Sequence, residues 1–262
     1  MSEVLLYEVA DRVATITLNR SGARNALSVE LRAELPRAVR RADADDAVDV
    51  VILTGADPAF CAGLDLKELG SGQLDLAADP GSASPASARR GPLPEIGKPI
   101  IGAVNGVAVT GGFELALACD FLVASERARF ADTHARVGVQ PGWGLTVLLP
   151  EAVGLRRARE LSATGNFLDA RTALEWGLVN HVVPHHELLP RCRSLASDIA
   201  SNDQTAMRRV LRTYDEGALV SREEAWALEA EVAGEWLRSG GARPEEIEAR
   251  RATVAERGRT QG

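Results

Sequence analysis

Apolar positions in this chain fall in two patterns, continuous runs and helical spacing, and the changes between them sit on glycine-rich turns. Residues 4–9 and 13–18 are apolar and β-branched and predict two strands around Asp11-Arg12. Ser28 is placed to cap a helix running to about residue 42. Pro36 lies inside it, at a cost of about 3 kcal/mol, and predicts a kink. Residues 48–54, VDVVILT, are mostly apolar, as a strand covered on both faces would be. The glycine turn GADPAFCAG follows, and residues 64–69 then start helical, with Asp65 in the first turn.

The same succession recurs further on. Residues 99–104 read as a buried strand, Asn105-Gly106 breaks it, and 107–109 is a second short apolar run. Thr110-Gly111-Gly112 breaks the pattern again and opens a helix over 113–119, with Glu114 near its start. A strand over 120–125 and a mixed segment over 128–139, holding His134, come next. Helical stretches over 145–153, 156–164 and 169–176 and a strand over 178–183 complete the α/β part. Beyond about residue 188 the chain reads as helical. The spacing thus predicts an α/β core over 1–190 and a helical region over 191–262.

A strand that feeds a glycine turn opening a helix leaves free main-chain N–H groups at the positive end of the helix dipole. Two such turns can aim two donors at one oxygen that gains negative charge, as an oxyanion hole requires. Glu114, one turn away, is placed for proton transfer. An exposed acid stabilising a helix start is the plainer reading of that residue, and two ordinary tight turns the plainer reading of the glycines.

Composition narrows the chemistry. The chain has 262 residues and a formal charge of −7, which argues against nucleic acid or an acidic membrane as partner. No apolar run approaches the roughly 20 residues needed to span a bilayer. Cys61, Cys119 and Cys192 are widely spaced and fit neither a zinc site nor a disulfide framework, so a reducing cytoplasm is expected. His185-His186 lacks a ligand partner at metal spacing. Lys67, Lys98 and Arg24 read as solvated charges, with contact to a phosphate as the alternative. Residues 70–94, rich in Gly, Ser, Ala and Pro, read as a variable loop or a lid. No GxGxxG, P-loop or GxSxG motif is present.

Four segments carry a family resemblance: LNRSGARNALS near the N-terminus, AFCAGLDLKEL at 59–69, KPIIGAVNGVAVTGGFELALACD at 98–120 and GNFLDARTALEWGLVNHVVP at 165–184. In this order and spacing they resemble the crotonase superfamily, the enoyl-CoA hydratase/isomerase family. The resemblance implies a spiral of ββα repeats with a C-terminal α-helical region that builds homotrimers, often paired into hexamers. It implies an acyl-CoA or enoyl-CoA thioester as substrate, with no other cofactor and no metal. It implies that the N–H groups of Ala62 and Gly111 hold the thioester oxygen. It places Ala23, Arg24, Gly63, Leu64 and Asp65, with Ala62 and Gly111, along the coenzyme A and acyl groups.

Glu114 matches the family's first catalytic glutamate, three residues after Gly111. The second glutamate of hydratases is replaced: alignment on Phe130 and Gly138 puts His134 there, with Asp132 two residues away. Histidine supplies protons near neutral pH, so the expected activity is a lyase that adds water to a 2-enoyl-CoA through Glu114 and His134. The replacement leaves open another enolate-forming activity, isomerase or decarboxylase, and an acyl-CoA binder without turnover. A hydrogen-bonded structural role for His134 is also open.

Overall fold

The structure, a computed structural model, describes residues 3–72 and 91–260. Most of the loop or lid expected over 70–94 lies outside the described residues. The chain divides into two compact units, Met1–Gln204 and Thr205–Gly262.

The first unit is built on two sheets. Strands β1 (Leu5–Ala10) and β2 (Val13–Leu18) form a hairpin whose turn residues Asp11 and Arg12 both have positive φ. Helix α1 (Val29–Ala44) follows, with the Ser28 hydroxyl accepting the Leu31 N–H. The helix runs through Pro36 and buries Leu31, Leu35, Ala38, Val39 and Ala42.

Three similar passages come next. In each, one strand joins a large sheet, a second joins a small sheet, and a helix starts where the second strand ends. The first comprises β3 (Val50–Gly55), β4 (Ala59–Cys61) and α2 (Leu66–Gly70). The second comprises β5 (Ile100–Val104), β6 (Val107–Val109) and α3 (Gly111–Leu117). The third comprises β7 (Phe121–Ser125), β8 (Arg129–Ala131) and α4 (His134–Val137). Then α5 (Leu145–Val153), α6 (Leu155–Thr164), β9 (Leu168–Asp169), α7 (Ala170–Glu175), β10 (His181–Val183) and α8 (Leu188–Ala200) close the unit.

The large sheet has the order β1-β2-β3-β5-β7-β10 and is parallel from β2 onward. The small sheet has the order β4-β6-β8-β9, with β9 antiparallel. This is the expected α/β spiral of ββα repeats. Phe60 on β4, Phe113 on α3 and Phe130 on β8 are fully buried in the core between the sheets and their helices. The rings of Phe113 and Phe130 lie 5.6 Å apart and tilted, an arrangement worth about 0.5–1.5 kcal/mol beyond burial.

The other face of the large sheet is covered by α8. Its Leu188, Cys192 and Ala196 recur every four residues and pack on Val13, Val50, Ile52, Ile101 and Val123. That second cover is why β3 is buried throughout. The first compact unit ends at Gln204.

Lys98 is not the solvated charge expected. It is buried, and its Nζ donates to the carbonyls of Ala42 at 2.8 Å and Asp45 at 2.7 Å, closing the end of α1. We expect Lys98→Met to lower unfolding free energy by about 1–3 kcal/mol. Urea melts read the loss, and an unchanged midpoint would contradict the capping role.

The second unit holds α9 (Gln204–Gly217), α10 (Arg222–Arg238) and α11 (Pro244–Thr260). Helix α10 opens with a reciprocal cap between Ser221 and Glu224. An apolar groove lies between α9 and α10, with Val210, Tyr214, Val232 and Trp236 on its walls. Among the described residues, no helix is long and apolar enough to cross a membrane.

Candidate active site

The three strand-to-helix turns of the small sheet stack side by side because β4, β6 and β8 are neighbours in it. They bring segments 62–65, 110–114 and 132–134 together around one cavity of about 260 Å³. Ala62, Leu64, Gly111, Glu114, His134 and Trp143 are on its wall.

The first two turns meet at Gly112. A Cβ there would lie 2.1 Å from the Cys61 carbonyl oxygen, so only glycine allows the approach. Gly63, at φ +82°, takes a conformation that side chains disfavour and turns the chain out of β4 toward α2.

Main-chain hydrogen bonds decide which donors are free. The Ala62 N–H donates to the Arg24 carbonyl at 3.0 Å. The donor expected at Ala62 is therefore already engaged. The Leu27 N–H donates to the Gly63 carbonyl at 2.7 Å, and the Asp65 N–H to the Leu27 carbonyl at 3.2 Å. In a trans peptide the N–H points opposite to the C=O of the same plane. The Leu64 N–H shares its plane with the Gly63 carbonyl and so turns away from Leu27, with Leu64 on the cavity wall. The Gly111 N–H opens α3, where no carbonyl stands one turn earlier to receive it. The Thr110 N–H, just before it, is held by the Ala131 carbonyl at 3.1 Å.

Glu114 sits in the first turn of α3 and is 2 % exposed. Its Oε1 accepts the Trp143 N–H at 2.8 Å and faces the Leu145 N–H at 3.5 Å. Its Oε2 lies 3.3 Å from His134 Nε2. The indole of Trp143 packs over Gly111, where an added Cβ would come within 2.9 Å of Cζ3.

His134 is buried and begins α4 instead of lying in an extended segment. That helical turn settles the placement of Asp132. Its Oδ1 accepts the His134 N–H at 3.1 Å and stands 2.7 Å from His134 Nδ1. Glu114, His134 and Asp132 thus form a line of carboxylate, imidazole and carboxylate. Burial works against a charge on His134, but hydrogen bonds to Asp132 and Glu114 and their negative charge raise it to about 9. For Asp132, burial alone would raise the carboxyl, yet hydrogen bonds from His134 and Ser162 hold it below its usual range. Sequence reasoning noted Asp132 and gave it no role, because its side-chain direction depends on that helical turn.

The remaining expected residues surround this cavity without lining it. Ala23 and Arg24 are exposed on the turn after β2. Asp65 pairs with Arg20 at 3.0 Å and caps α2 through the Lys67 N–H at 3.1 Å, so it precedes the helix and is not in its first turn. Asn25 Nδ2 lies 2.7 Å from the carbonyls of both Ala56 and Ala59 and braces segment 20–27 on the first repeat. His185, given no role from sequence, bridges Ser125 and Asp57, each at 3.0 Å.

Comparison with known proteins adds to this geometry. Residues 8–243 match the model of the family described as Enoyl-CoA hydratase/isomerase. A probable peroxisomal enoyl-CoA hydratase 1 of Arabidopsis thaliana is 41 % identical over 221 residues, covering 84 % of this chain and 82 % of the relative. A crotonyl-CoA hydratase of Syntrophomonas wolfei is 35 % identical over 233 residues, 88 % of this chain and 89 % of the relative. Among solved structures, an enoyl-CoA hydratase from Mycobacterium tuberculosis H37Rv is 49 % identical, with a TM-score of 0.75, covering 88 % of this chain and 98 % of its own. One from Bacillus anthracis is 32 % identical, with a TM-score of 0.83, covering 97 % and 96 %.

Proposed function

The chain belongs to the enoyl-CoA hydratase/isomerase family, and from that premise we propose that it adds water across the conjugated double bond of a 2-enoyl-CoA thioester. The observation that carries this reading is the pairing of Glu114 with His134, 3.3 Å apart on the wall of a cavity that Leu64 and Gly111 also line.

The thioester oxygen sits between the N–H groups of Leu64 and Gly111. Leu64 replaces Ala62 in this role because the Ala62 N–H is held by Arg24. Glu114 takes a proton from water as the water oxygen bonds to the β-carbon. The electron pair of the double bond moves into the thioester, and the oxygen becomes enolate-like. The two N–H donors stabilise it, each worth about 2.7–4 kcal/mol. When the carbonyl re-forms, the α-carbon takes the proton on His134 Nε2. The proton gained by Glu114 then returns to His134 across their contact, which restores both groups. Water's hydrogen and hydroxyl end on the α- and β-carbons, so the cycle balances.

The coenzyme A moiety follows Ala23, Arg24 and segment 62–65, with the exposure of the first two in support. Asp65 contributes by holding that segment through Arg20. No further cofactor or metal enters the cycle. The chain works as a homotrimer or hexamer in the cytoplasm. The exposed apolar residues Tyr214 and Trp226 of the second unit support assembly, and light scattering tests it.

A short 2-enoyl-CoA mixed with the purified protein tests the activity. We expect the conjugated thioester absorbance to bleach and a 3-hydroxyacyl-CoA to form. A flat trace across chain lengths, or only a shifted double bond, would overturn hydration.

A further inference from the structure

Both ring nitrogens of His134 face carboxylates. Nδ1 is 2.7 Å from Asp132 Oδ1, and Nε2 is 3.3 Å from Glu114 Oε2. Ionised carboxylate oxygens only accept, so this arrangement calls for an N–H on each nitrogen. Asp132 Oδ1 also accepts the main-chain N–H of His134 at 3.1 Å. One oxygen therefore holds both backbone and ring of the same residue. Asp132 is 3 % exposed, and the Ser162 hydroxyl donates to its carboxylate from α6.

We propose that Asp132 is a positioning residue that fixes the ring of His134 and presents its Nε2–H to the α-carbon of a bound thioester. The inference rests on the reading above that His134 delivers the α-proton, and it assigns the orienting group. Without Asp132, rotation of the His134 ring about Cβ–Cγ would carry Cε1 to the place of Nε2 and take that N–H away from Glu114. With it, a ring nitrogen is tied from behind, as a tautomer and ring orientation are commonly set by the bond the other nitrogen makes.

The charge follows from the same contacts. The charged groups that face His134 are Glu114 from α3 and Asp132 from the turn after β8. Helix α6 brings the neutral Ser162 to the cluster, on Asp132. The segment entering α5 brings the Trp143 and Leu145 N–H groups, on Glu114. From the end of β6, neutral Thr110 reaches Thr133 at 3.0 Å. Removing the charge of Asp132 therefore removes one of the two anions that keep the imidazole protonated.

Asp132→Asn tests this, since it keeps the size and an acceptor oxygen but not the charge. We expect the alkaline midpoint of the kcat profile to move down from about 9 toward the ordinary value of 6.5. A midpoint two units lower would leave kcat at pH 8 down by about tenfold, with KM within about twofold. Asp132→Glu, which retains a carboxylate, should keep a midpoint above that of the asparagine variant. An unchanged profile in Asp132→Asn overturns the proposal. Ring-labelled histidine NMR of the unaltered protein gives a readout independent of turnover and of the variant's folding. One of its four histidines should stay charged to about pH 9, with its signal missing in His134→Gln. Titration of all four below about pH 7.5 overturns the proposal. Absence of thioester turnover in the unaltered protein would instead sink the functional reading, whatever the histidine does.

Discussion

Replacing Glu114 by glutamine is expected to lower kcat for the proposed enoyl-CoA hydration by about 10²–10⁴-fold, the range of a lost general base. The substitution preserves shape, and the amide oxygen can still accept the Trp143 N–H that Glu114 Oε1 now accepts at 2.8 Å. The amide nitrogen would face His134 Nε2, and it takes up no proton from water. The main-chain donors proposed to bind the thioester are unchanged by this substitution, so KM should change by no more than about threefold. Thermal melting within a few degrees of the unaltered protein separates lost chemistry from lost fold. A kcat within tenfold of the original would remove Glu114 from the reaction.

Replacing His134 by glutamine should have a comparable effect, a fall of about 10²–10⁴-fold in kcat, with a second signature in the pH profile. In the proposed cycle the active form carries the proton on His134, whose value is raised to about 9. The unaltered enzyme should hold its kcat from neutral pH up to that value and lose about tenfold per unit above it. His134→Gln, lacking the titrating group, should show residual activity with no such alkaline limb. Retention of the limb in the variant would place its origin elsewhere. A full rate without His134 would return the residue to a structural role.

Much of this site was legible in the chain. The apolar runs ending in glycine turns are set by local chemistry, and the turns at 62–63 and 110–112 fall where the glycines demand. Glu114 was placed on the first turn of its helix because helix onset is also local.

What was not legible depends on pairing between distant segments. In an extended segment the N–H groups of residues 62 and 64 would face the same side, and Gly63 at φ +82° breaks that pattern. Whether Ala62 or Leu64 offers its donor is thus decided by Arg24 and Leu27, far back in the chain. Asp132 and His134 converge only because a helical turn begins at His134. Lys98 looked like a surface charge because nothing local signals the carbonyls of Ala42 and Asp45. Helix α8 begins near residue 188, where the chain reads as helical, and only the tertiary fold sets its apolar stripe against β3.

The most direct test of the central claim is a crystal structure with a bound acyl-CoA. The account predicts the thioester oxygen about 2.7–3.1 Å from both the Leu64 and Gly111 nitrogens, with the α- and β-carbons beside His134 and Glu114. An oxygen that touches neither nitrogen, or that displaces the Arg24 carbonyl to reach Ala62, would contradict it.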